Sequence, residues 1–295
     1  MKYLFKRKIS IIETGDDLKE YILKTQSDGS KITVHDVQMV LLEMLKDIDK
    51  ICQKHDIPYF LVGGSCLGAV RHEGFIPWDD DADIGMLYED YLRFLEVLKI
   101  ELDTEQYYFQ TFDTHNEYNV FIPAMKFRKR GTFVKEANTL LRNRCKDGDG
   151  LFVDVFIIDY IDERKWVDVL CRLKAILYLG VVTLIENLGV NPYRLKKRFI
   201  RFVRRYSRKN KERGSSLIGF DLTWTFNSPI HPVVYKKEDI YPLQYHCFED
   251  TKLPIPKVPK SLLDVEVSPN HMSYPPKKMQ QPKHIVDVSL TSEDL

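Results

Sequence analysis

Four carboxylates fall within five residues at Asp79, Asp80, Asp81 and Asp83, inside the run Trp78-Asp79-Asp80-Asp81-Ala82-Asp83-Ile84-Gly85. Two unit charges 4 Å apart repel by about 4 kcal/mol at an effective dielectric near 20, so such a run needs solvent or counter-ions. Trp78, Ala82, Ile84 and Met86 are interleaved with the acids, which is not the composition of a solvated loop. As a strand over residues 81–86, the segment places Asp81 and Asp83 on one side and Ala82 and Ile84 on the other. Same-side carboxylates on a half-buried strand call for a hard cation with oxygen ligands, Mg²⁺ or Mn²⁺. A further acid, Asp154, interrupts the apolar run 151–158 and, buried there, requires a partner. Placed beside the first strand it completes a set of three, Asp81, Asp83 and Asp154, able to hold two divalent ions. Such a pair clamps the attacking and leaving oxygens of an in-line phosphoryl displacement.

The elements that must position these acids follow from periodicity. Val37, Leu41, Met44/Leu45, Ile48 and Ile51/Cys52 make one apolar stripe of a helix that stops before Pro58. Residues 59–62 form a short buried strand, and Gly63-Gly64-Ser65 turns the chain into a helix over 65–70. Glycines there let a phosphate approach the backbone, and the helix N-terminus supplies amide donors. A second strand carries Asp81 and Asp83, and residues 89–100 are helical again. Strands follow at 107–112, at 124–130 paired with 132–135 across Gly131, and at 151–158. Residues 164–213 are helical. Strand, glycine turn, helix, Asp-x-Asp strand and a later Asp strand together are similar to the nucleotidyltransferase (polymerase-β-like) superfamily. Two other readings compete. Asp79-x-Asp81-x-Asp83 resembles the start of a calcium loop, but Gly85 is seventh where the sixth is wanted, and Asp90 stands where a glutamate belongs. A purely structural acidic loop leaves a buried Asp154 without explanation.

With 295 residues, 44% hydrophobic and 29% charged, the chain can build a core, which excludes a disordered or low-complexity protein. The net charge of +1 conceals an uneven distribution. Residues 194–213 alone carry eleven Lys/Arg and one glutamate. Five dispersed cysteines, Cys52, Cys66, Cys145, Cys171 and Cys247, suggest neither a disulfide framework nor a thiolate metal site. The opening segment lacks a secretory core, and the longest apolar run, 175–185, falls short of the ~20 residues that span a bilayer. A cytoplasmic protein is expected, at most lying on the inner face of the membrane.

Residues 57–86, IPYFLVGGSCLGAVRHEGFIPWDDDADIGM, resemble the core of the LicD family, which includes the fukutin-related proteins. The likeness continues more loosely through 126–132, 151–159, 248–250 and 255–256. It implies a mixed α/β (α+β) nucleotidyltransferase-like domain: a small, mainly antiparallel sheet flanked by helices. The catalytic domain would span 34–276, with a helical insertion at 164–213, an N-terminal extension at 1–33 and a flexible polar tail at 277–295. The implied activity is transfer of a phospho-alcohol, such as phosphocholine or a polyol phosphate, from a CDP-activated donor to a hydroxyl of a cell-surface glycan or lipid-linked precursor. CMP leaves, and acceptors of the bacterial members include teichoic acids, lipopolysaccharides and capsules. By position, Asp81, Asp83 and Asp154 would be the metal ligands, with Asp154 activating the acceptor hydroxyl and Asp79 and Asp80 in supporting places. Arg71 and Lys126 would neutralise diphosphate charge, beside Gly63, Gly64 and Ser65. One departure is visible: family members carry a Tyr-Gly-Asp element shortly before a Pro-Pro, and here residues 263–274 lack the Tyr-Gly while Pro275-Pro276 and a later His284 remain. A nucleotidyltransferase that releases pyrophosphate would use the same acids; a catalytically silent member that keeps the fold is the other alternative, against which the intact Asp81, Asp83 and Asp154 argue.

The basic segment adds a separate expectation. Leu195, Phe199, Phe202/Val203 and Tyr206 form an apolar stripe on a helix whose other faces are almost wholly Arg and Lys. With the apolar run before it, residues 175–213 fit a peripheral contact with an anionic leaflet. A helical insertion packed on the catalytic domain explains the same pattern. No stacking platform or groove-reading module accompanies the cations, so nucleic acid is not an expected partner.

Overall fold

A computed structural model of the chain describes residues 20–114, 124–137, 150–224 and 231–291. Cys145 and the start of the N-terminal extension lie outside them.

The first elements are a hairpin, β1 (Ile22–Thr25) and β2 (Lys31–Thr33), followed directly by helix α1 (Val34–Lys54). Thr33 starts α1 with a reciprocal cap: its Oγ1 accepts from the Asp36 N–H at 3.2 Å, and the Asp36 carboxylate accepts from the Thr33 N–H at 2.8 Å. The expected stripe of α1, from Val37 to Cys52, is buried. Next come β3 (Phe60–Leu61), α2 (Gly63–His72), β4 (Asp83–Leu87) and α3 (Tyr88–Glu101). Then follow β5 (Tyr107–Gln110), β6 (Met125–Lys129), β7 (Phe133–Glu136) and the long strand β8 (Phe152–Tyr160). The insertion is a helical hairpin, α4 (Lys165–Asn187) and α5 (Tyr193–Glu212). It is followed by β9 (Leu217–Phe220), β10 (Val234–Lys236), α6 (Lys237–Ile240), the pair β11 (Gln244–Phe248) and β12 (Thr251–Ile255), α7 (Pro259–Glu266) and β13 (Ile285–Ser289).

The seven-stranded central sheet is mixed, with order β10-β9-β8-β4-β3 and the pair β5-β6 joined to β8. Strand β8 organises it. One edge runs parallel to β4, while the other pairs antiparallel with β6 along its first half and with β9 at its end. Burial on both sides explains why β8 is apolar almost throughout, as a central strand must be. Helices α1, α3 and α5 pack against it. The architecture is therefore the expected mixed α/β domain with helices flanking a sheet.

Three expectations require correction. Strands 124–130 and 132–135 were expected to pair across Gly131, but β6 joins β5 and β8 while β7 pairs with β13. Gly131 does turn the chain, at φ +71°, but it sends the second strand away from the first. The tail expected to be flexible from 277 instead forms β13, tied to β7 at Val288↔Val134 with Val288 fully buried. Three β-branched residues, Ile285, Val286 and Val288, in an otherwise polar segment were too weak a sequence signal for a strand whose partner is about 150 residues away. Finally, the apolar stripe of α5 faces inward. Phe199, Val203 and Tyr206 pack with Ala175 of α4, Ile161 and Leu222 in a second small core, and Tyr178 stacks on Phe199 at 5.1 Å. Most of that stripe is therefore internal, with Leu195 and Phe202 half-buried at its margin.

Candidate active site

The acids converge because two strands end together. Asp83 opens β4 and lies in parallel register with Asp154 of β8, and across the other edge of β8 Asp154 is paired with Lys126 of β6. Asp79, Asp80 and Asp81 precede β4 in a turn rather than a strand, so only Asp83 is held by the ladder itself. The turn is pinned from outside. Buried Gln38 of α1 donates its amide to the carbonyls of Ile76 (2.9 Å) and Asp79 (2.8 Å). From the other side, Asp80 accepts backbone N–H bonds from Lys283, His284 and Ile285 just before and at the start of β13. Asp80 is thus buried as a clasp for the C-terminal segment, while its charge still adds to that of Asp79 and Asp81.

Lys126 is the central cation. Its ammonium lies 2.8 Å from Asp154 Oδ1 and 3.1 Å from Glu136 Oε2, over the ring of Phe152 at 3.4 Å from the centroid. His284, brought by the C-terminal segment, places Nε2 at 3.3 Å from Asp81 Oδ2. Positive charge remains scarce for four carboxyls. Burial pushes Asp83 well above the usual carboxylate range, and the charges of Asp81, Asp154 and Asp79 push it further. Asp79 is raised in the same way, by burial and then by Asp81 and Asp80. Asp81 is raised by burial against the opposing pull of His284 and Lys126. Asp154 is pushed up to about 6, again mainly by burial, with Lys126 opposing and Glu136 assisting.

Helix α2 sets the opposite wall. Gly63 has φ +53°, a left-handed conformation that glycine adopts without strain, and a Cβ on Gly64 would strike the Asp79 carboxylate. The two glycines therefore allow the helix start to sit directly against the acids. Ser65 Oγ accepts the Asp83 N–H at 2.9 Å, fastening β4 to α2. The Gly63 N–H already has an anionic partner: Glu266 of α7 accepts it at 2.5 Å and accepts the Tyr235 hydroxyl at 2.5 Å. Burial raises Glu266 to about 7, against those two hydrogen bonds. Arg71, expected beside the phosphates, is committed elsewhere. At the end of α2 its Nη1 donates to the carbonyls of His271 (2.8 Å) and Ser273 (3.2 Å), and its guanidinium covers Tyr274.

The donor chemistry fits a hard divalent cation: several carboxylate oxygens, half-buried, held together and short of positive charge. Among the described residues no three such groups already stand as a closed ligand set, Asp154 being turned to Lys126 and Asp81 to His284. The sequence reading missed Gln38, Glu136, Glu266 and His284. Gln38 had a signal, a polar residue within the apolar stripe of α1. Glu266 lies in the stretch where the family pattern fails, His284 was noted after it without a role, and Glu136 falls one residue past the strand expected at 132–135.

Comparison with known proteins bears out the resemblance over the middle of the chain. Residues 56–169 match the family model described as LicD/FKTN/FKRP, nucleotidyltransferase domain, a span that holds the four acids and Lys126. Lipopolysaccharide cholinephosphotransferase LicD of Haemophilus influenzae is 34% identical over 134 residues, 44% of this chain and 45% of that protein. Ribitol 5-phosphate transferase FKRP of Homo sapiens is 42% identical over 50 residues, 17% of this chain and 10% of that protein. An uncharacterized protein of Rickettsia typhi is 37% identical over 101 residues, 30% of this chain and 32% of that protein. The chain thus spans less than half the length of the curated relatives it matches.

Proposed function

We propose that this chain, which carries a LicD/FKTN/FKRP-type nucleotidyltransferase segment over residues 56–169, is a phosphotransferase. It would move a phospho-alcohol from a CDP-activated donor to a hydroxyl of a glycan or lipid-linked glycan precursor, releasing CMP. The observation that carries this reading is the parallel register of Asp83 with Asp154, with Lys126 beside Asp154 and Asp79 and Asp81 completing the cluster. The names of the relatives, one a cholinephosphotransferase and one a ribitol phosphate transferase, give the class of group transferred.

Asp81, Asp83 and Asp154 would hold one or two Mg²⁺ or Mn²⁺ ions, which when bound supply charge neutralisation at the transferring phosphoryl group. The chain's own contributions are separable. Asp154, as carboxylate, accepts the proton of the attacking hydroxyl, a role for which a group raised to about 6 is better matched than an ordinary aspartate. Lys126 stands at the same carboxylate and stabilises negative charge that develops on the phosphoryl oxygens and on departing CMP. Backbone amides at the start of α2 face the acids across Gly63-Gly64 and would take donor phosphate oxygens, with the Glu266 carboxylate giving up the Gly63 N–H. Arg71 acts at a distance, bracing residues 271–274 ahead of the segment that carries His284.

The test is CMP release from CDP-choline, CDP-ribitol, CDP-glycerol and CDP-ethanolamine with Mg²⁺, alone and with candidate glycan acceptors, using the wild-type chain and the Asp81→Asn and Asp154→Asn variants. Metal-dependent release from one conjugate, absent in both variants, supports the reading and names the donor. Retention of CMP on the product with release of pyrophosphate would identify a nucleotidyltransferase instead. Absence of both CMP release and calorimetric binding for every conjugate would sink the proposal.

A further inference from the structure

The α4–α5 hairpin exposes two unlike faces, one on each helix. On α4 and its C-terminal cap, Trp166, Leu170, Leu173, Leu177, Leu184 and the capping Leu188 recur at helical spacing, and each is between 49% and 74% exposed. They run along the side opposite Ala175 and Val182, which are buried in the hairpin. At 1.5 Å per residue the stripe is about 33 Å long. A soluble surface rarely leaves so long an apolar face open without a use for it. On α5, Arg194, Arg198, Arg201, Arg205 and Arg208 follow one another at intervals of four and three along the outer side. Arg194, Arg198, Arg201 and Arg205 have no carboxylate partner among the described residues, although the same helix pairs its inner cations, Lys196 with Glu186 and Arg204 with Asp159 and Asp221.

A groove of about 980 Å³ opens beside the hairpin, between α5, the start of α3 (Tyr88, Glu89, Leu92) and one flank of α4. Lys174 and Tyr178 of α4 line one wall, and Arg198, Arg201, Arg205 and Arg208 of α5 line another. Lys174 and Tyr178 directly follow Leu173 and Leu177 of the stripe, so at these two turns the stripe borders a groove whose cations outnumber its acids, Glu89 and Asp159. A folded protein partner would need an apolar strip about 33 Å long beside a matching acidic ridge. A bilayer containing anionic lipid presents acyl chains under a layer of phosphates everywhere on its surface. Among the described residues no helix is long and apolar enough to cross a membrane, so the contact would lie in the plane of the interface.

We propose that the α4–α5 hairpin docks this protein on an anionic lipid surface, the outer stripe of α4 entering the interface and the outer arginines of α5 meeting lipid phosphates in and around the groove. The contact differs from the one expected from sequence, because the stripe of α5 is internal and the lipid-facing residues belong to α4. It does not depend on the chemistry assigned to the carboxylate site.

The experiment is flotation of the full chain with vesicles of phosphatidylcholine alone and of an equimolar mixture with phosphatidylglycerol, at low and high salt. Binding is expected to the mixed vesicles, at least about tenfold tighter than to the neutral ones, and weakened by salt. A Leu173→Glu/Leu177→Glu variant and an Arg198→Glu/Arg201→Glu/Arg205→Glu variant should each lose at least about tenfold in partitioning, with circular dichroism unchanged because all five side chains are exposed. Independently of those variants, brominated lipid should quench the wild-type tryptophan fluorescence more than that of Trp166→Phe. No binding to mixed vesicles, or binding that survives both multiple variants, overturns the proposal. So does a wild-type dimer in solution that Leu173→Glu/Leu177→Glu splits, since the stripe would then be an interface between copies of this chain.

Discussion

Asp154 is asked to do two things at once, and its neighbours make both possible. It lies in an apolar strand, so burial favours its protonated form, yet Lys126 at 2.8 Å keeps a carboxylate within reach near neutrality. Replacing it by Asn keeps the shape and removes the basic oxygen. We expect kcat for transfer to fall by about 10²–10⁴, the usual worth of a general base, with the melting temperature maintained. Steady-state kinetics with parallel calorimetry checks this, and a variant within threefold of wild type would assign the proton to another group. Glu266 gives a pH prediction. Its folded pKa, about 7, lies above the ordinary value of 4.5, so the folded chain holds the proton more tightly than the unfolded one. The stability this contributes is complete below about 4.5 and is lost as pH rises through about 7. Melting temperature should therefore decline over that window, and the decline should be shallower in Glu266→Gln; equal slopes would remove Glu266 as a cause.

At the scale of elements, the site is a junction of segments far apart in sequence. Strand β13 is held to the acidic turn by three amides converging on Asp80. Hydrogen bonds to a charged acceptor are worth about 1.5–3 kcal/mol. Asp80→Ala should cost stability on that order and, more specifically, speed hydrogen exchange across residues 283–289 while leaving α1 protected. Uniform exchange over the whole chain would show that the clasp has no local role. Helix α2 depends on close approach at another point: a Cβ on Gly68 would strike the carbonyl of Gly74 and crowd Ile76 N at 3.3 Å. Backbone cannot swing aside as a side-chain tip can, so Gly68→Ala should destabilise by about 1–3 kcal/mol in chemical denaturation. Denaturation at the wild-type midpoint would show that the loop relaxes freely.

For the whole molecule, a crowded carboxylate cluster short of positive charge is a source of instability that a bound cation would relieve. Ligand at about a hundred times its Kd stabilises by about 2.7 kcal/mol, which for a chain of this size raises the melting temperature by roughly 5 °C or more. Mg²⁺ or Mn²⁺ should produce such a rise in the wild type and not in Asp83→Asn. Without metal, Asp83→Asn should itself melt slightly higher than wild type, because it removes one of the mutually repelling charges. A wild-type melting temperature indifferent to both ions would rule out the cation reading while leaving the fold untouched.

The amino-acid sequence by itself determined the local matters. Alternation of acids with Ala82 and Ile84 marked the acidic turn, the spacing from Val37 to Cys52 marked α1, and the long run around Asp154 marked the central strand; each is a short-range pattern set by backbone periodicity and burial. Only the tertiary structure decided which distant segments meet. It gave β7 to β13 rather than to β6, turned the stripe of α5 inward and that of α4 outward, moved Arg71 to the C-terminal segment, and brought Gln38, Glu136, Glu266 and His284 to the acids. The physical reason is the same in every case. Periodicity says that a face is apolar or charged but not which partner will cover it, and that choice is made by chain segments competing for the same edge or surface once the core around β8 has formed.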